Sequence, residues 1–249
     1  MEAIGSVGAA GVAAVATAYR NALRLHQEAI NRLNVYPVPD GDTGTNMALT
    51  MEAVVAEIDG ATSGDAPDMV AVCKAVAHGS LMGARGNSGV ILSQLLRGFT
   101  GAIAGAKELD APLLATALTA AGEAAYQAVL RPVEGTILTV ARVAAEGGAQ
   151  AAADGAGLVA VLEAARRFGG DALAHTPEQL PVLAQAGVVD AGGTGYLLLL
   201  DSFLSVVDGR PLPTRRPSRG ARCRWRRRHC PRWPGSGPRA RARGACATR

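Results

Sequence analysis

The sequence is poor in aromatic residues: Phe, Tyr and Trp make up 4% of 249 residues, although 49% are hydrophobic and 50 are Ala. A core so short of rings and so rich in Ala suits close-packed helices, because Ala has the highest helix propensity and lets helix axes approach. An all-β sandwich is disfavoured. Cysteine is scarce in the first 213 residues, where Cys73 stands alone. No internal disulfide can form there, and a reducing cytoplasm is the expected compartment. Lysine is limited to Lys74 and Lys107, neither in a glycine-rich segment, which argues against a lysine-lined phosphate loop. No membrane span is expected, since the most apolar late stretch, Tyr196 to Val207, is short and broken by Asp201. The apolar N-terminus opens with Glu2 and runs into NALRLHQEAINRL, so it reads as a first helix and not as a secretion signal.

Acid is missing after residue 213. Residues 1–213 hold all 21 Asp and Glu with 12 Lys and Arg, a net charge of −9, whereas residues 214–249 hold 13 Arg and no acid. The overall +4 averages two different polymers. A tail of Arg, Pro, Gly, Ala, Cys and Trp without Lys has the composition of an out-of-frame reading of GC-rich DNA. A disordered arm for nucleic acid or anionic lipid is the competing reading. The expected organisation is a helical domain over 1–213 and a disordered basic tail over 214–249, with nucleic acid not an expected partner.

What is present is helix periodicity. Leu92, Leu95, Leu96, Phe99 and Ile103 follow i, i+3, i+4 spacing, and similar stripes occupy roughly 8–33, 46–58, 68–82, 111–129, 135–152, 156–172, 177–186 and 194–207. Asp110 with Pro112, and Thr176 with Pro177 and Gln179, read as helix starts. Pro181 shortens or distorts the second of these helices. Ala104-Gly105 and Gly169-Gly170 read as stops. No strand-like alternation persists, so the body is predicted to be all-α.

Segments rich in glycine and polar residues interrupt the helices and are where chemistry is expected. In Tyr36-Pro-Val-Pro-Asp-Gly-Asp-Thr-Gly-Thr-Asn46, Asp40 and Asp42 offer hard oxygen ligands on either side of one glycine. A divalent cation would relieve their repulsion. The EF-hand pattern fails, because its sixth position is Thr45 and its twelfth Met51. Water and phosphate oxygens completing a Mg2+ shell fit better, with an Asx-rich helix-capping turn as the plain alternative. Gly83-Ala-Arg-Gly-Asn-Ser-Gly89 opens an apolar helix, where Asn87 or Ser88 could cap and exposed N–H groups favour phosphate. It matches neither the Walker A nor the dinucleotide fingerprint. Asp190-Ala-Gly-Gly-Thr-Gly195 is a weaker phosphate candidate, with an ordinary interhelix turn as the competing reading. His26, His78 and His175 lack ligand spacing, and Ser80 and Ser88 have no assignable His partner for a triad. Charge neutralisation falls to metal, Arg85 and backbone N–H groups.

Leu33 to Met47, Gly83 to Gln94, Glu134 to Thr139 and Val189 to Gly195 together resemble the DhaL (Dak2) ATP-binding domain family. Within it they resemble the amino-terminal domain of the bacterial fatty acid kinase A subunit. The resemblance spans about residues 8–213 and implies an antiparallel eight-helix barrel with ATP at one end, so one of the nine periodic segments is a fragment. It implies that Asp40 and Asp42 bind Mg2+ and serve catalysis, while Asn34 lies near a third ligand position, one residue out of register. Thr43, Gly44, Thr45 and Asn46 match the phosphate-side loop; Asn87, Ser88 and Gly89 match the second glycine loop. Gly135 and Thr136, with Asp190 and Gly192, match segments closing over the nucleotide. The implied partner is a DegV-like protein presenting a fatty acid, which becomes an acyl phosphate; a homodimer is compatible. A dihydroxyacetone-kinase nucleotide subunit and a non-catalytic nucleotide-binding module are the alternatives. Phosphoryl transfer needs mainly positioning and charge neutralisation, and an ionised carboxylate acceptor needs no general base.

Overall fold

The computed structural model describes residues 5–61 and 68–213; the basic tail lies outside the described residues. Among the described residues eight long helices carry the fold: α1 (Ala9–Asn31), α2 (Thr43–Ala61), α3 (Met69–Gly83), α4 (Gly86–Ile103), α5 (Ala111–Ala128), α6 (Ile137–Ala153), α7 (Leu158–Ala174) and α10 (Ala191–Asp208). Two short ones, α8 (Thr176–Gln179) and α9 (Pro181–Ala186), lie between α7 and α10. Each long helix packs against its chain neighbours, and α10 packs on both α7 and α1, which closes the ring. The chain reverses from each long helix to the next, within only Ala84-Arg85 between α3 and α4. Helices α2, α4, α6 and α10 therefore begin at one end, and α1, α3, α5 and α7 at the other. The all-α eight-helix expectation holds.

Local chemistry explains the boundaries. The Asp110 carboxylate accepts the Leu113 N–H at 2.9 Å with Pro112 in the first turn of α5, and Asp68 caps α3 by accepting from Ala71 N at 2.6 Å. Gly187 and Gly209 end α9 and α10 in the left-handed region, at φ of 68° and 75°. The stripe on α4 is buried at every position from Leu92 to Ile103. It packs with Tyr19, Leu23, Met47, Met51, Leu118 and Tyr196 in one core that leaves an apolar cavity of only about 30 Å3.

Several boundaries differ from the periodicity. Of the nine periodic segments, the one at 177–186 is the fragment: it breaks at Leu180, before Pro181, into α8 and α9. Thr176 is not a cap, since its hydroxyl donates to Leu173 O and accepts from Asp190 N, while His175 holds the N-cap position. Gly169-Gly170 does not stop a helix but lies inside α7, where a Cβ on Gly169 would come 2.9 Å from Leu197 and 3.0 Å from Ala144. That glycine lets α7 approach α10 and α6. A two-residue antiparallel clip, β1 (Val7–Gly8) with β2 (Glu108–Leu109), ties the start of α1 to the entry of α5. It is too short for alternation to reveal. None of the helices among the described residues is long and apolar enough to cross a membrane.

Candidate functional site

The first turns of α2, α4, α6 and α10 face one open cavity of about 840 Å3. Asp40, Asp42 and Thr43 line it from the start of α2; Gly86, Asn87 and Ser88 from α4; Thr136 and Ile137 from α6; Asp190 and Gly192 from α10. Every helix N-terminus has N–H groups without intrahelical partners and a partial positive charge, so convergence of several makes a cavity selective for anions. The start of α4 carries no side-chain cap, which leaves its N–H groups available to a ligand, whereas at the start of α6 the Asp190 carboxylate already takes the Ile137 N–H. The start of α10 is occupied too, because Asp190 Oδ2 accepts the Gly193 N–H at 2.6 Å.

The three segments expected as glycine-rich loops each run into a helix start, although Tyr36 to Asp42 stays non-helical. Helix α2 begins at Thr43, α4 at Gly86 and α10 at Ala191, each ahead of its apolar stripe. Arg85, not Asn87 or Ser88, holds the N-cap position of α4.

Asp40 and Asp42 flank Gly41, whose φ of 68° turns the chain between them. Asn34, buried beneath, donates through Nδ2 to Asp40 Oδ1 at 2.5 Å and to Val38 O at 3.1 Å, and accepts from Thr43 Oγ1 at 2.8 Å. Its amide thus links the two carboxylates' loop to the first residue of α2, and its oxygen faces Thr43. No cluster of three or more His, Cys, Asp and Glu suited to a metal occurs among the described residues. Two carboxylates in a cavity open to water and phosphate oxygens are a donor set that fits Mg2+ better than Ca2+ or Zn2+, which draw more of their ligands from protein.

Gly44, Thr45, Asn46, Gly89 and Gly135 do not line the cavity. They fix the elements that do. Thr45 Oγ1 accepts from Gln27 and Asn31, both at 3.0 Å, and its N–H donates to Asn31 Oδ1, locking α2 to α1. A Cβ on Gly86 (φ 57°) would meet Asn46 Nδ2 at 2.3 Å, and one on Gly89 would meet Thr50 Oγ1 at 2.6 Å, so α4 starts hard against α2. Gly135, at φ 80°, donates its N–H to Thr139 Oγ1.

Arg85 was expected to neutralise charge, but it does not line the cavity; its guanidinium donates to Ala84 O at 3.0 Å. Arg131 lines it instead, on the connection between α5 and α6, where no motif flagged it. That connection also supplies Val129, Leu130 and Val133, an apolar part of the cavity lining. It is pinned by Glu134, which accepts from Tyr126 Oη at 2.9 Å and Thr139 Oγ1 at 2.6 Å and pairs with Arg142 at 3.4 Å. Burial alone would raise the Glu134 carboxyl, but the bonds from Thr139 and Tyr126 and the Arg142 charge hold it below its usual range.

Burial pushes the Asp190 carboxyl up to about 6 against the pull of the Gly193, Ile137 and Gly192 N–H groups. A carboxyl raised above its ordinary 3.8 contributes stability that is full below that pH and is lost as the pH climbs through about 6. The shift corresponds to about 3 kcal/mol. Denaturation between about pH 4 and about pH 6.5 should show the wild type losing stability relative to Asp190→Asn, which keeps the acceptor oxygen and cannot ionise. Parallel pH profiles for the two proteins would contradict the assignment.

The DAK2 domain model matches residues 37–205. Protein YloV of Bacillus subtilis (strain 168) is 47% identical over 191 residues, which is 77% of this chain and 34% of YloV. An uncharacterized protein of Staphylococcus aureus (strain USA300) is 46% identical over 180 residues, 72% of this chain and 32% of its own length. The chain thus spans about a third of the length of these relatives. Among solved structures, the native dihydroxyacetone kinase of C. freundii superposes with a TM-score of 0.55 and 17% identity, over 82% of this chain and 35% of that one. That likeness is one of fold.

Proposed function

The chain belongs to the DAK2-domain family, and from that premise we propose that its cavity binds Mg2+-ATP and passes the γ-phosphoryl group to a fatty acid carboxylate presented by a separate DegV-like protein. The observation that carries this reading is the meeting of paired carboxylates, Asp40 and Asp42, with the uncapped N-terminus of α4 in a single cavity that the starts of α2, α6 and α10 also line. An anion-selective cavity has little use for two carboxylates unless a cation joins them to the anion.

In this reading Asp40 and Asp42 hold the metal, with Asn34 orienting Asp40 from behind. The metal supplies charge neutralisation on the phosphate oxygens. The first turns of α2 and α4, through Thr43, Asn87 and Ser88, receive the phosphates on N–H and side-chain donors. Thr136 and Gly192 border the nucleotide at the starts of α6 and α10, and the Val129, Leu130 and Val133 wall excludes water from its apolar face. An oxygen of the acceptor carboxylate attacks the γ-phosphorus, the bond to the β-bridging oxygen breaks, and ADP and an acyl phosphate result. No histidine among the described residues lines the cavity, and an already ionised acceptor requires none. An apolar acceptor also suits a rim on which Val38, Val90 and Leu130 are exposed. The reading places the reaction in the reducing cytoplasm.

The test is turnover with ATP, Mg2+, a fatty acid and its DegV-like binding protein, followed by phosphorus NMR, with dihydroxyacetone as the comparison acceptor. Acyl phosphate is the expected product. Phosphorylation of dihydroxyacetone alone would replace the acceptor assignment, and Mg2+-ATP binding without turnover on either would make the domain a non-catalytic nucleotide module.

A further inference from the structure

A nucleoside triphosphate brings several negative charges into a cavity already lined by Asp40, Asp42 and Asp190, and one divalent cation offsets only part of them. Among the described residues lining this cavity, Arg131 alone has a cationic side chain. It is exposed, and it forms no ion pair or hydrogen bond with any described residue. The acid closest to it in the chain, Glu134, is fully engaged by Arg142, Tyr126 and Thr139. Pro132 follows Arg131 and restricts the backbone there. A restrained backbone thus carries an uncommitted guanidinium at an anion-directing cavity while a different arginine takes the available carboxylate.

We infer that Arg131 is a phosphate-binding residue of this site, reaching the nucleotide from the connection between α5 and α6 in the cavity that the starts of α2 and α4 also line. This rests on the nucleotide reading of the cavity and adds a residue that neither the glycine-rich segments nor the paired carboxylates indicate. The guanidinium fork presents two parallel N–H donors to phosphate oxygens and keeps its charge at any working pH. An ammonium on the same stem keeps the charge and loses the fork.

Calorimetric titration of the full chain with Mg2+-ATP, and displacement measurements with adenosine, test it on the wild type, Arg131→Ala and Arg131→Lys. Arg131→Ala should bind Mg2+-ATP about ten- to a hundredfold more weakly, bind adenosine as the wild type does, and show a shallower salt dependence. Arg131→Lys should recover part of the loss. Unchanged Mg2+-ATP affinity in Arg131→Ala would overturn the inference and leave the nucleotide reading standing. An equal loss for adenosine would also overturn it, by making Arg131 a packing element of its loop. A wild type that binds neither ligand would overturn the nucleotide reading together with this inference.

Discussion

Asp40→Asn and Asp42→Asn are each expected to lower Mg2+-dependent phosphoryl transfer by roughly a thousandfold, and the double variant to bind ATP no better with Mg2+ than without it. A cation clamp on transferring phosphate oxygens is worth several kcal/mol of transition-state stabilisation, and each 1.36 kcal/mol is about a decade in rate. The substitutions are isosteric, and the Asn34 Nδ2 bond to position 40 has an amide oxygen to replace the carboxylate oxygen it now uses. Thermal midpoints should therefore stay close to the wild type, which separates loss of the site from loss of the fold. Full activity in both single variants would remove the metal from these two positions.

Gly44→Ala should disable the same site from the packing side. Its Cβ would fall 2.3 Å from the Gln27 carbonyl oxygen and 3.0 Å from Asn31 Oδ1. A backbone oxygen inside α1 cannot swing away as a flexible side chain can, so the start of α2 must retreat from α1. Overpacking of this kind costs about 1–3 kcal/mol, which for a domain of this size lowers the melting temperature by roughly 4–8 °C at the middle of that range. Retreat also breaks the Thr45 bonds to Gln27 and Asn31 and shifts Thr43 and the adjoining carboxylates, so Mg2+-ATP affinity should fall at least about tenfold. Gly101→Ala, within α4, is the control: its Cβ meets nothing within 4 Å, and stability should rise by about 0.5–1 kcal/mol. Equal behaviour of the two variants would show that the α1–α2 approach is not what Gly44 protects.

The helices were readable because a buried stripe repeats every three or four residues regardless of what it packs against; Leu92 to Ile103 illustrates this. The carboxylate pair was readable because two acids around a single glycine are costly without a purpose. Helix starts were misplaced where function and packing select residues that resemble loop composition. Thr43-Gly44-Thr45 and Gly86-Asn87-Ser88 have the small and polar residues of a turn, yet they are helical first turns, where such residues are tolerated and where close approach demands glycine. Gly169-Gly170 misled in the same way, since contact with Leu197 and Ala144 is long-range information that a local pattern does not carry. Arg131 left no trace in the sequence, because its isolation from Glu134 depends on Arg142 arriving from the next helix.

The alternating direction of the ring has a consequence for how folding and binding are linked. Asn34, Asn87, Thr136 and Asp190 reach the cavity on different legs of the chain, each returned to the same end by a complete out-and-back pass. A chain with only one or two helical pairs folded holds only part of the cavity, and ligand affinity requires the closure of α10 onto α1. Ligand that binds only the closed ring draws the population toward it, so a hundredfold excess over its dissociation constant adds about 2.7 kcal/mol to the stability of the whole domain and not to one loop. Helix pairs distant from the cavity are thereby stabilised by what is bound in it, and amide exchange deep in α7 should slow when the opposite half of the ring takes its ligand.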